Sequence, residues 1–122
     1  MHFAKSVALT AAAFFVFAAH AQTYPAKPVR IIVPFPPGGG NDILARAIGQ
    51  KLGEVLGQSF IVDNRPGAAS MMGTEIVAKA AADGYTIILV ASSHTINVVL
   101  YDKPRYDAVR DFAPITLVAT AP

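Results

Sequence analysis

Two hydrophobic patterns alternate along this chain: short unbroken apolar runs, and longer stretches in which apolar residues return every three or four positions. Val29-Arg30-Ile31-Ile32-Val33 is a run with the length and β-branched content of a buried parallel strand. After it, Leu44, Ile48, Leu52 and Val55 form one stripe at helical spacing, with Arg46, Gln50 and Glu54 on other faces. This predicts a helix from about Asp42 to Leu56, stopped by Gly57 in a left-handed conformation. Ser59 to Asn64 reads as a second strand, and Met72, Ile76, Val77 and Ala80 as the buried face of a second helix that Asp83-Gly84 ends. Tyr85-Thr86-Ile87-Ile88-Leu89-Val90 is the most continuously apolar of the runs, and is therefore predicted to be central in the sheet. A short apolar turn from Ile96 to Tyr101, a charged irregular segment anchored by Tyr106 and Phe112, and a fourth strand over Pro114 to Ala119 complete the pattern.

The order strand, small-residue loop, helix, strand occurs twice. Right-handed crossovers of this kind build a parallel sheet flanked by helices, so the predicted class is α/β. The loops after the strands then gather at one sheet edge, where ligands bind near the reversal of strand order. Phe35 to Asn41, Arg65 to Met71, and Ala91 to Thr95 would all lie there.

The first of these loops, Pro34-Phe35-Pro36-Pro37-Gly38-Gly39-Gly40-Asn41-Asp42, joins strand to helix through bare backbone. Glycines let N–H groups face a cavity, and a helix N-terminus adds partial positive charge, so the junction suits an anion. The alternative is a tight turn capped by Asn41 or Asp42, with no ligand. Gly40 is followed by Asn41-Asp42 and not by Gly-Lys-Ser/Thr, and three adjacent glycines do not space as Gly-x-Gly-x-x-Gly, which argues against nucleotide and dinucleotide sites. Asp42 and Arg46, four apart, are expected to pair on a solvated helix face. The third loop, Ala91 to Asn97, is dense in hydroxyl and amide groups that suit a carboxylate oxygen, or that cap the turn behind it.

The first residues read as an address. Lys5 supplies a positive start, Ser6 to Ala18 an apolar core too short to span a bilayer, and Ala19-His20-Ala21 a small-x-small cleavage site. Cleavage is expected after Ala21, leaving a mature domain over 22–122 and a periplasmic location. Without Lys5, nine Lys and Arg face eight Asp and Glu, and no basic cluster suggests nucleic acid. With no cysteine, stability must come from a packed core, and the mature length suffices for one small domain. His94 is the only histidine left after cleavage and cannot build a zinc site alone; it is expected on a surface or loop. No Gly-x-Ser-x-Gly elbow presents a serine to it. Because the chain ends soon after the fourth predicted strand, it reads as the front portion of a longer protein.

In order, the chain carries the leader, Tyr24-Pro25-x-Lys27-Pro28-Val29-Arg30, Pro34-Phe35-Pro36-Pro37-Gly38-Gly39 with Asp42 and Arg46, and Asn64-Arg65-Pro66-Gly67-Ala68. Gly73-Thr74, Asp83-Gly84-Tyr85-Thr86 and Asp111-Phe112-Ala113-Pro114 follow. As a set these resemble the Bug-type solute-binding proteins of the tripartite tricarboxylate transporter family. The resemblance implies the first lobe of a two-lobed, type II-like Venus flytrap periplasmic receptor, truncated before its second lobe and carrying no catalysis. It implies a small carboxylated solute, such as a dicarboxylate or tricarboxylate, passed to the membrane subunits of a tripartite tricarboxylate transporter, with no cofactor and no metal. Carried over by position, the ligand would meet Phe35, Gly38, Gly39 and Gly40, then Gly67, Ala68, Ala69 and Ser70, with Ser92, Ser93 and Thr95 adding side-chain contacts. Ser70 stands where the family commonly has glycine, and Val98 where it often has Asn-Pro. The competing reading is a secreted α/β hydrolase or esterase using a serine of the 92–94 segment.

Overall fold

The computed structural model describes residues 23–102 and 104–120; the leader and its cleavage site lie outside the described residues. Strands β1 (Val29–Val33), β2 (Phe60–Asn64) and β3 (Thr86–Ile88) form a parallel sheet in the order β2-β1-β3. Helix α1 (Gly40–Leu56) links β1 to β2, helix α2 (Met71–Ala78) links β2 to β3, and helix α3 (Ser93–Leu100) follows β3. The α/β class expected from the alternating pattern is the one observed.

β1 is the central strand, contrary to the expectation for the third run. Val29, Ile32 and Val33 are fully buried, whereas every residue of β3 is half-buried. Apolar content did not identify the centre because β1 is hydrogen-bonded on both sides. Val29 pairs with Phe60 through to Val33 with Asn64, and Arg30 pairs with Thr86 through to Ile32 with Ile88. The chain steps from β1 to β2 in one direction and returns across β1 to β3, so right-handed crossovers put α1 and α2 on opposite faces.

On the α1 face, Ile31, Val33 and Ala45 are buried together, with Phe35, Phe60, Val62, Ile87 and Leu89 packed around them. α1 approaches through small residues, which corrects the predicted stripe. Ala45 and Gly49 are buried, Leu44, Ile48 and Leu52 flank them, and Val55 is 70% exposed. A Cβ on Gly49 would lie 3.3 Å from both Ile31 Cδ1 and the Phe60 carbonyl, so close seating on the sheet favours glycine there. On the other face, α2 buries Gly73 and Thr74, while Met72 is exposed, and the helix ends at Ala78, short of the predicted Asp83-Gly84. Gly57 ends α1 in the left-handed conformation as expected (φ 71°).

No strand forms over Pro114 to Ala119. That segment takes no place in the sheet, and Ile115 and Leu117 are more than three-quarters exposed. An apolar run becomes a strand only where a ladder is open to it, and none of the described strands pairs with this one.

Candidate functional site

Because the three strands are parallel, the loops that follow them leave the same sheet edge. The first loop is organised by Asp42. Gly39, not Asn41 or Asp42, is the N-cap of α1, and it makes no side-chain cap. Asp42 instead reaches backwards from the first turn, accepting the Gly38 N–H at 2.8 Å. Its other oxygen accepts Asn64 Nδ2 at 3.0 Å, and Arg46 donates to both oxygens, at 3.0 and 3.1 Å. Asn64 Nδ2 also donates to the Phe35 carbonyl at 3.1 Å, and Arg46 Nη2 to Asn64 Oδ1 at 3.1 Å. Asp42 is 3% exposed while Arg46 stays exposed, so the carboxylate of the expected solvated pair is in fact a buried hub that ties the glycine loop to the end of β2. The Arg46 hydrogen bond, then the Gly38 N–H and Asn64, hold its carboxyl down to about 2.

This hub divides the residues predicted for the first loop. Phe35 is committed to core packing and, through its carbonyl, to Asn64. The Gly38 N–H is used by Asp42. The first intrahelical bond of α1 runs from the Ile43 N–H to the Gly39 carbonyl, so the N–H groups of Gly40 and Asn41 ahead of it have no partner within the helix. These are the donors that the first loop offers to an anion.

The second loop turns through positive φ: Gly67 at 130°, Ala68 at 47°, Ala69 at 54° and Ser70 at 76°. Ala68–Ser70 form a 3₁₀ turn leading into α2, and the N–H groups of Ala68 and Ala69 at its head have no partner within it. Ser70 is 6% exposed and turned inward. Its hydroxyl lies 3.1 Å from that of Ser93, and its carbonyl accepts the Thr74 hydroxyl at 2.9 Å. From α3, buried Asn97 donates to the Ala69 carbonyl at 2.6 Å and to Ser70 Oγ at 3.4 Å. The second and third loops are thus one hydrogen-bonded unit.

Of the third-loop residues, Ser93 joins that unit and Ser92 stands exposed at the N-cap of α3 without a side-chain cap. Thr95 bonds the Ser92 carbonyl at 3.0 Å and faces a different cavity, of about 600 Å³, that Val98 and Tyr106 also line. A second cavity, of about 340 Å³, includes Ala68 as its only candidate residue. The sheet edge is therefore an open shelf, framed by Asp42, Asn64 and Asn97. Of these, Asp42 and Asn64 are not among the residues expected from the sequence to meet a ligand, although an acid three positions after an N-cap is a usable signal for the first, and Asn97 enters that expectation only as one of the polar groups of the third loop.

His94 lies in α3, not in a loop. Its Nε2–H donates to the Ala108 carbonyl at 3.1 Å, and its ring stacks on Tyr106 (centroids 6.0 Å apart) and meets the Phe112 edge at 4.9 Å. Tyr106 is buried as predicted. Ser93 Oγ bonds Ser70 and not this imidazole, so the histidine packs the C-terminal segment against α3. His94→Ala should cost about 1–3 kcal/mol of stability in a thermal melt through lost aromatic packing. An unchanged melt would overturn that packing role.

The arrangement defines a class: an α/β unit with a parallel sheet, whose first two loops leave one sheet edge carrying backbone N–H groups that have no partner within their own helix or turn. The family described as tripartite tricarboxylate transporter family receptor matches residues 44–122. Protein BugT of Bordetella pertussis is 45% identical over 104 residues, which are 84% of this chain and 32% of that protein. The solved periplasmic binding protein BugD is similar with a TM-score of 0.73 at 38% identity, over 75% of this chain and 31% of that one. MatC of Rhodopseudomonas palustris with bound malate gives a TM-score of 0.73 at 35% identity, over 78% of this chain and 33% of that one. The chain belongs to the tripartite tricarboxylate transporter receptor family, and spans about a third of the length of the curated relatives it matches.

Proposed function

We propose that this chain is the first lobe, over 22–122, of a periplasmic receptor for a small carboxylated solute, exported by the leader over 1–21 and cleaved after Ala21. The observation that carries this reading is the open N–H groups of Gly40, Asn41, Ala68 and Ala69 on one sheet edge, in a family with a malate-bound member. Gly38 and Phe35 support the first loop from within, and Gly67 and Ser70 shape the second. Gly39 at the N-cap and Ser92 at the start of α3 complete the shelf. The protein holds the solute and performs no chemistry on it; it passes it to membrane subunits of a tripartite transporter.

Magnitudes make a second lobe necessary for tight binding. Hydrogen bonds to a charged group contribute about 1.5–3 kcal/mol each and a helix terminus at most about 2 kcal/mol. A micromolar dissociation constant needs about 8 kcal/mol, beyond the cost of immobilising the ligand. An open shelf should therefore bind at millimolar strength, and enclosure by a second lobe would supply the remainder. Titrating malate into isotopically labelled chain should shift the amide signals of residues 39–41 and 68–69. Shifts confined to the cavity beside Arg105 and Tyr106, or none at tens of millimolar, would overturn the reading.

A further inference from the structure

Three consecutive residues with side chains, Ala68, Ala69 and Ser70, adopt left-handed φ. Such a conformation is unfavourable for each L-residue and persists only where its surroundings over-determine it. No glycine relieves the turn after Gly67. What faces it is Asn97, 3% exposed on α3, whose carboxamide donates to the Ala69 carbonyl at the middle of the strained run and to Ser70 Oγ at its end. Ser93 and Thr74 hold Ser70 from two further sides, but both act on that last residue. Among the side-chain hydrogen bonds of the described residues, Asn97 alone engages the Ala69 carbonyl.

We propose that Asn97 is a positioning residue for carboxylate recognition: it locks Ala68–Ser70 left-handed from a helix 27 to 28 residues away, and so keeps the Ala68 and Ala69 N–H groups presented. This rests on the receptor reading for its purpose, but not for its geometry. In solution the sign of φ is read from the intraresidue amide–Hα contact, strong only in the left-handed region.

The test uses the full chain with Asn97→Leu, which keeps the branched heavy-atom shape and removes the donor, alone and combined with Ala69→Gly, which makes the left-handed conformation inexpensive. The positive-φ signature of Ala68 and Ser70 should be lost in the single variant and regained in the double. Malate binding at these amides should weaken roughly tenfold in the single variant, as for one lost hydrogen bond to a charged group, and recover in the double. Retention of positive φ in Asn97→Leu would overturn the proposal. So would loss of folding in both variants, because Asn97 would then be a core residue and not a positioning one. If malate shifts nothing in the native chain, the receptor reading of this edge fails, while the φ measurement still decides the role of Asn97.

Discussion

Gly73→Ala is expected to lower the melting temperature by roughly 5–15 °C, the effect of about 1–2 kcal/mol on a domain of this size. The added Cβ would lie 2.7 Å from Pro34 Cβ, 2.8 Å from the Arg65 carbonyl oxygen and 3.1 Å from Pro34 Cα. Two of these are backbone atoms and the third belongs to a proline ring, so nothing nearby is a flexible end that can swing aside. Overpacking of this kind costs about 1–3 kcal/mol, against a gain of up to about 1 kcal/mol from replacing a helical glycine. Pro34 begins the first of the two loops proposed to bind and Arg65 the second, so relief by moving either would also weaken the malate response expected from that proposal. Gly40→Ala is the matched control: nothing lies within 4 Å of its added Cβ, and its melt should be unchanged or slightly higher. A Gly73→Ala chain that melts with the native one would show that α2 lifts from the loops at no cost.

Acid should unfold the chain mainly between pH about 4 and about 2. Asp42 is lowered from 3.8 to about 2 by Arg46, Gly38 and Asn64. Its unfolded form binds protons first, so its contribution is complete above its ordinary value and is lost as the pH falls through about 2. Other carboxylates act in the same direction. Burial pushes Asp63 up, but its hydrogen bonds to Arg30 and Arg65 more than offset this, and the Lys79 hydrogen bond lowers Glu75. The Arg110 and Val109 N–H groups lower Asp107. Asp42→Asn should give a chain less stable at neutral pH whose melting temperature falls less between pH 4 and 2.5, with faster amide exchange at Gly38. A variant whose melting temperature falls in parallel with the native chain would show that the hub contributes nothing to the acid response.

Gly73 was visible only as part of an ordered motif, because the need for glycine there comes from Pro34 and Arg65, which are distant along the chain. Asp42 and Arg46 were visible as an i, i+4 pair. The burial of Asp42 was not, since Asn64 arrives from β2, 22 residues on. The first and second loops were placed on the right edge because strand-loop-helix order is a local signal. Which of their N–H groups stay open was invisible, because Gly38 is consumed by a side chain and Gly40 is not.

By itself, the sequence determined the α/β class, the extent of α1 and its Gly57 stop, and the resemblance to the receptor family. All of these rest on hydrophobic period, glycine punctuation and motif order, which operate over a few neighbouring residues. Only the tertiary structure decided that β1 and not β3 is central, that Pro114 to Ala119 joins no ladder, and that Asn64 and Asn97 hold the first and second loops. Strand neighbours and buried hydrogen-bond partners are chosen by contacts between segments far apart in the chain, and the same apolar run or asparagine reads alike in sequence whether or not such a partner arrives.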